Sequence, residues 1–417
     1  MKVDLIIKNA LQLLTLKGSA RARSQEEANN LSIIDSGALA VLNGRIAAVG
    51  KSSEVCDQYK AVKIIDASGK VVMPGFVDSH THPVFSTTRE NEFEMRLQGR
   101  TYVDISERGG GIRSSIQGVR KSSEEELYQL SVKRIKRMIS NGTTTLEAKS
   151  GYGLDLISEI KMLRVIKRLN DSLPIDIIPT FMGAHEFPDE FKDNREEYIK
   201  ILKEEMTPRI AELGLARYFD IFTEEHVYNI EQSRSILNNA KKYGFKLRMH
   251  ADEIKPIGGA ELAAEVGAVT ADHLGAASDK GIEAMRIAGV IATLLPATIF
   301  SLGMNSYARA RKMIDSGLPV ALATDYNPGS CNCDSMQFII TLACLKMNMT
   351  IAEAITASTI NAAYAVDSGN KTGSLEIGKE ADILVMDIPT YQFIPYHIGS
   401  NCIDKVIKSG KVIWENN

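Results

Sequence analysis

The sequence predicts an α/β protein: a (β/α)8 TIM-like barrel carrying a small composite β domain formed by both chain ends. Three observations lead there. The middle of the chain alternates eight apolar, strand-like runs with amphipathic helical stretches. The first ~70 and last ~45 residues read instead as short strands and turns. Histidines, and one aspartate, stand where the middle runs end. A chain of 417 residues has room for such a barrel and an appendage.

The terminal segments come first. Residues 3–16 are apolar but interrupted by Asp4, Lys8 and Asn9, and no small-residue cleavage site follows. They read as a strand and not as a leader peptide. Short strands are expected over 4–7 and 38–42, with Asn43-Gly44 as a hairpin turn into 46–49. Residues 19–30 are polar and read as a surface loop. Near the other end, 381–386 and 405–407 read as strands, and Ser409-Gly410 as a turn before 412–414. Chain ends often lie close together, so 1–72 with 370–417 are expected to form one β domain and 73–369 the barrel.

Barrel strands are expected over 71–78, 143–148, 175–181, 219–222, 246–249, 269–271, 290–295 and 320–323. Ser122 and Glu125 make a capping-box pattern ahead of a helix whose apolar face is Tyr128, Val132, Ile135 and Ile139. Asn141-Gly142 ends that helix. The next helix carries Leu156, Ile160 and Leu163 on one side. No G-x-G-x-x-G motif follows the first strand, which argues against a dinucleotide fold.

Composition removes several function classes. The formal net charge is -3 with no long basic run, so the electrostatic footprint of a nucleic-acid binder is absent. No apolar run is long enough to span a bilayer, and no membrane role is expected. The five cysteines are odd in number and scattered, which points to a reducing cytoplasm. Cys331-x-Cys333 lacks the second pair that a structural zinc site needs.

The strongest chemical signal is Val77-Asp78-Ser79-His80-Thr81-His82. On extended backbone, residues i and i+2 point to the same side, so both imidazoles can reach one ion. Taken alone, the pair also fits two solvent-facing loop histidines. The rest of the chain tips the balance. Of only seven histidines, His185, His250 and His273 also end expected strands, and Asp325 ends the eighth. Polar residues at the carboxyl ends of barrel strands converge on one site. Three neutral imidazoles and a carboxylate suit zinc, with iron or another divalent ion as the alternative, and one position is left open for water.

This pattern resembles the amidohydrolase superfamily: His-x-His after the first strand, His after the fifth and sixth, Asp after the eighth. Pro74-Gly75-Phe76-Val77-Asp78-Ser79-His80-Thr81-His82 matches its entry motif. Gly378-Lys379-Glu380-Ala381-Asp382-Ile383 resembles the stretch that returns the chain to the β domain. The resemblance implies His80, His82, His250 and Asp325 as ligands. Members with two ions bridge them with a carboxylated lysine at the fourth strand. Here that strand runs Tyr218-Phe219-Asp220-Ile221-Phe222-Thr223-Glu224-Glu225-His226, without lysine. One ion per chain is expected, with Glu224 or Glu225 as the only candidates to bridge a second.

Within the superfamily the likeness is to the branch that opens 4-imidazolone-5-propanoate with water, giving N-formimidoyl-L-glutamate in histidine degradation. It rests on Arg89-Glu90-Asn91-Glu92-Phe93, Lys149-Ser150-Gly151-Tyr152-Gly153, Gly183-Ala184-His185-Glu186, His250-Ala251-Asp252-Glu253, Asp272-His273-Leu274-Gly275 and Ala323-Thr324-Asp325-Tyr326-Asn327-Pro328-Gly329-Ser330.

The likeness implies roles. Arg89 would hold the propanoate with its planar fork. Tyr152, between glycines, would lean over the pocket, and His185 would donate to the ring carbonyl or the substrate carboxylate. Glu253 would carry protons between water and a ring nitrogen, His273 would serve the water and the oxyanion, and Asp325 would both bind the ion and accept a proton. Asn327, Gly329 and Ser330 would bind the carboxylate through backbone N–H and side chains. Gly109-Gly110-Gly111 with Arg113 reads as a loop that closes over the pocket. The partner is a small-molecule substrate; the sequence leaves the subunit count open, with a homodimer as one option. Two rivals remain: a single-metal nucleobase deaminase, and a non-catalytic protein of the same fold, which would have lost metal ligands.

Overall fold

The computed structural model describes residues 1–100 and 110–416. Two sheets of eight strands organise it. The first is mixed and joins the chain ends. From the N-terminal side come β1 (Lys2–Leu14), β2 (Ile33–Leu42), β3 (Arg45–Lys51), β4 (Lys60–Asp66) and β5 (Val71–Pro74). The second is the barrel: β6 (Phe76–Asp78), β7 (Thr143–Lys149), β8 (Asp176–Ala184), β9 (Tyr218–Thr223), β10 (Lys246–Ala251), β11 (Thr270–His273), β12 (Ile291–Leu294) and β13 (Val320–Leu322). The C-terminal β14 (Ile383–Met386), β15 (Ile403–Lys408) and β16 (Lys411–Glu415) return to the first sheet. Its order is β16-β15-β14-β5-β1-β2-β3, with β4 beside β1. The ends therefore meet where β5 pairs with β14.

The hairpins follow their turn residues. Asn43 and Gly44 have φ of 52° and 76°, and Ser409 and Gly410 have 46° and 77°. Two successive left-handed residues make the tight turn whose twist suits paired strands.

The barrel strands pair in parallel in chain order from β6 to β13. The ring nears closure just beyond its last strand. Asp325 N–H donates to the His80 carbonyl at 3.1 Å and His82 N–H to the Tyr326 carbonyl at 2.8 Å. Val77, Ile178, Tyr218, Ile291 and Ala321 fill the lower interior against the helix Ile360–Ala365. The site is thus confined to the carboxyl ends of the strands.

Three expectations change in detail. The run 71–78 is two strands, not one. Pro74 has no N–H to extend a ladder, and Gly75 donates instead to the Asp382 carbonyl at 3.0 Å. A Cβ on Gly75 would lie 2.2 Å from Thr144 Oγ1, so only glycine lets the chain cross from one sheet to the other here. The capping box is Ser123 with Glu126, one residue later than expected, and the helix Glu124–Ser140 buries Leu127, Ile135, Met138 and Ile139. Finally, residues 19–30 are not all surface. They include a short helix, Gln25–Ala28, and the fully buried Arg23, whose N–H donates to Asn361 Oδ1 at 2.7 Å and whose Nη2 donates to the Leu16 carbonyl at 2.6 Å. Among the described residues no helix is long and apolar enough to cross a membrane.

Candidate active site

His80 and His82 follow β6, His185 follows β8, His250 lies in β10, His273 ends β11, and Asp325 stands just past β13. The barrel brings them together. Ring centroids lie 4.5 Å apart for His80 and His250, 5.0 Å for His250 and His273, and 5.4 Å for His80 and His82. Asp325 Oδ1 is 3.5 Å from His80 Nε2 and 3.7 Å from His82 Nε2. His273 at φ 72° and Asp325 at φ 52° occupy left-handed backbone, which costs non-glycine residues energy and marks sites where geometry is imposed.

The donor set fits a metal ion. Ligand atoms of His80, His82 and Asp325 lie within 4.8 Å of one another, and so do those of His80, His250 and His273. His80 Nε2 and His273 Nε2 are buried with no hydrogen-bond partner among the described residues. Leaving a buried polar atom unpaired costs about 1–3 kcal/mol, and a cation shared by neighbouring lone pairs removes that cost. Burial holds His80, His82 and His273 well below their usual pKa range, so their lone pairs stay available. Burial opposes charge on His250 too, but the Asp220 carboxylate outweighs it and raises its pKa. Asp325 is pushed up to about 6, chiefly by burial, and Thr298 Oγ1 donates to its Oδ2 at 2.6 Å. His273 also stands within ligand reach of His80 and His250.

A cavity of about 590 Å³ opens above these groups, lined also by Arg89, Arg96, Tyr152, His185, Glu253 and Asn327. A larger, open surface hollow near Arg21, Glu27 and Arg311 shares no residue with it. Glu253 is half-buried beside His273, with Oε1 3.6 Å from Nδ1. Burial, reinforced by the Asp325 charge, raises its pKa to about 8. At neutral pH it is a carboxylic acid able to give a proton. Burial likewise keeps the Tyr152 phenol protonated.

Two groups of expected substrate-binding residues already make hydrogen bonds within the protein. His185 Nδ1 lies 3.0 Å from the Gly151 carbonyl, which can only accept. The proton therefore sits on Nδ1, and burial holds the pKa near about 3. In that tautomer Nε2 carries the lone pair, whereas the sequence likeness implies that His185 donates to the substrate. The turn after Asp325 also uses its donors internally. Gly329 N–H and Ser330 N–H both donate to Asn327 Oδ1 at 2.8 Å, and Asn327 Nδ2 donates to the Asp325 carbonyl at 2.7 Å. Asn327, Gly329 and Ser330 line the cavity, and in this structure those N–H groups meet Asn327. Gly329 matters for its missing side chain: a Cβ there would sit 2.1 Å from Arg89 Nη1. Arg89 Nε and Nη2 hold Glu92 Oε2 at 2.8 and 2.7 Å. Glu92 Oε1 accepts from Gly111 N–H at 2.9 Å. Of the glycine loop, Gly109 lies outside the described residues. Arg113 pairs with Asp189 at 2.7 Å.

Some site residues escape the sequence reading. Glu159, fully buried, accepts the N–H groups of Gly151, Gly153 and Leu154 at 3.0, 2.7 and 2.9 Å and so shapes the loop that carries Tyr152. Its signal was a charge in register with Leu163 on an apolar helix face. Glu147, Lys149, Asp220, Arg248 and Asp272 are also fully buried below the imidazoles. Their signal was a charge on the strand face shared with the site. Glu224, expected as one candidate bridge to a second ion, instead accepts the Ile254 N–H through Oε2 at 3.0 Å, and exposed Glu225 pairs with Lys255.

A model of the amidohydrolase family matches residues 71–413. The imidazolonepropionase of Geobacillus sp. (strain WCH70) is 50% identical over 414 residues, covering 98% of this chain and 97% of the relative. That of Alkaliphilus metalliredigens (strain QYMF) is 47% identical over 415 residues, covering 99% and 98%. Among solved structures, a 5-methylcytosine deaminase from Klebsiella pneumoniae liganded with 5-fluorocytosine superposes with a TM-score of 0.75 over 99% of this chain and 98% of that one. Its 19% identity speaks for the fold alone.

Proposed function

The chain belongs to the amidohydrolase family and to its imidazolonepropionase branch, and from that premise we propose how its residues divide the work. The activity is hydrolysis of the cyclic amide C–N bond of 4-imidazolone-5-propanoate to N-formimidoyl-L-glutamate in histidine degradation. The observation that carries the assignment of roles is one cavity holding both a metal-ligand cluster and the Arg89 guanidinium.

His80, His82, His250 and Asp325 would hold one ion, and three imidazoles with a carboxylate favour zinc over iron. When bound, such an ion makes water a nucleophile at neutral pH and polarises the carbonyl it attacks. Arg89, with the guanidinium donors that Glu92 leaves free, anchors the propanoate. His185 Nε2 accepts a ring N–H, which orients the amide. His273 and Asp325 take the proton of the attacking water. Glu253 gives its proton to the leaving ring nitrogen as the C–N bond breaks, and the proton taken from water restores it. The balance is one water added, a carboxylate formed and a formimidoyl nitrogen protonated. In this reading 73–369 is the catalytic unit and 1–72 with 370–417 the supporting one. Five free thiols support a reducing, cytoplasmic setting.

The test is to incubate the purified protein with freshly prepared 4-imidazolone-5-propanoate and follow the ring's ultraviolet absorbance. Loss of absorbance without ammonia is expected. Ammonia release from cytosine or guanine, with the imidazolone untouched, would move the chain to the deaminases.

A further inference from the structure

Below the imidazoles the barrel holds a charged layer that the reaction does not consume. Lys149 and Glu147 in β7, Asp220 in β9, Arg248 in β10 and Asp272 in β11 are all fully buried. Two chains of contact rise from them. Lys149 Nζ donates to Asp220 Oδ2 at 2.6 Å and to Glu147 Oε1 at 2.8 Å, while Asp220 Oδ1 meets His250 Nδ1 at 3.1 Å. Arg248 Nη2 donates to Asp272 Oδ2 at 3.2 Å, and that oxygen also accepts from His80 Nδ1 at 2.7 Å. In each chain a cation fixes a carboxylate, and the carboxylate fixes an imidazole proton on Nδ1. Nε2 is then the lone pair.

We infer that Lys149 and Arg248 are positioning residues, buried cations that aim His250 and His80 at the ion through Asp220 and Asp272. Two features set them apart from ordinary packing. A buried ion pair is a poor way to gain stability, because desolvation offsets the attraction. The two chains end on imidazoles from different strands that share one donor cluster. Groups behind metal-binding histidines typically change metal affinity or activity by 10–100-fold when removed.

This inference rests on the metal reading, and the experiment separates the two. Zinc affinity is measured by competition with a chromophoric chelator, and the visible spectrum is recorded after cobalt(II) replacement. The proteins are wild type, Asp220→Asn, Lys149→Met and the double variant, with circular dichroism reporting the fold. Wild type should bind zinc. Asp220→Asn and Lys149→Met should each bind roughly 10–100-fold more weakly, with a changed cobalt spectrum. The double variant should lie close to Asp220→Asn, because Lys149 acts chiefly through that carboxylate, its Nζ standing 2.6 Å from Asp220 Oδ2 against 3.9 Å from Asp272 Oδ2. If Lys149→Met alone does not fold, the double variant, which removes both charges of the pair, carries the comparison. Folded variants with wild-type affinity and spectrum would overturn the inference, as would a double variant much weaker than Asp220→Asn. Wild type that takes up no zinc would sink the metal reading itself.

Discussion

Gly329 is the position where the substrate anchor is most exposed to a single added atom group. A Cβ there would lie 2.1 Å from Arg89 Nη1 and 2.6 Å from Cζ, closer than nonbonded atoms approach. The backbone of Gly329 is held by its N–H bond to Asn327, so Gly329→Ala must displace the guanidinium. Arg89 cannot simply swing away, because Nε and Nη2 are tied to Glu92. If the propanoate uses the remaining donors, the substitution loses about one charge-assisted hydrogen bond, worth roughly 1.5–3 kcal/mol. At about 1.4 kcal/mol per tenfold, KM should rise roughly 10–150-fold. The carboxylate is remote from the reacting bond, so kcat should change far less. Steady-state kinetics and metal content of the variant make the assay, and metal content should stay at the wild-type level. A KM within twofold of wild type would remove Arg89 from the substrate site.

Further outcomes follow from the same geometry. Arg89→Lys keeps the charge but loses the planar fork, and KM should rise by a similar factor. His273→Ala should keep its metal and lose about 10²–10⁴ in kcat; a metal-free variant would make His273 a ligand. Glu253, raised to about 8, holds its proton below that pH and loses it above. Activity limited by its donation should therefore fall as pH rises through this region. Glu253→Gln should lower kcat about 10²–10⁴-fold and abolish that limb; a wild-type profile in the variant would assign the proton elsewhere. His80→Ala and Asp325→Ala should be folded and inactive, with elemental analysis of wild type showing close to one ion per chain.

The barrel was legible because its strands are apolar runs that end in functional side chains, and because i and i+2 on a strand share a face. His80, His82, His250, His273 and Asp325 could be gathered on that rule alone. Local ambiguities were not resolvable. Ser122 and Ser123 each precede a glutamate by three residues, so only packing chooses between two capping boxes. The run 71–78 looks uniform because both sheets bury apolar residues on either side of Pro74 and Gly75. Hydrogen-bond bookkeeping was the least visible layer. Nothing in Asn327-Pro328-Gly329-Ser330 says that Asn327 would take its own loop's N–H groups, or that Gly151 would settle the tautomer of His185. Lys149, Arg248 and Asp220 read singly as charges in strands, and their partners come from other strands. Arg23 was misplaced for the same reason, since its partner Asn361 is distant in sequence.

Water opens the imidazolone ring at its amide carbon. The direct measurement is turnover of 4-imidazolone-5-propanoate in water enriched in oxygen-18, with mass spectrometry of the product. N-formimidoyl-L-glutamate should carry one labelled oxygen in the newly formed carboxylate, with no ammonia. A product without the label, or release of ammonia from the substrate, would contradict it.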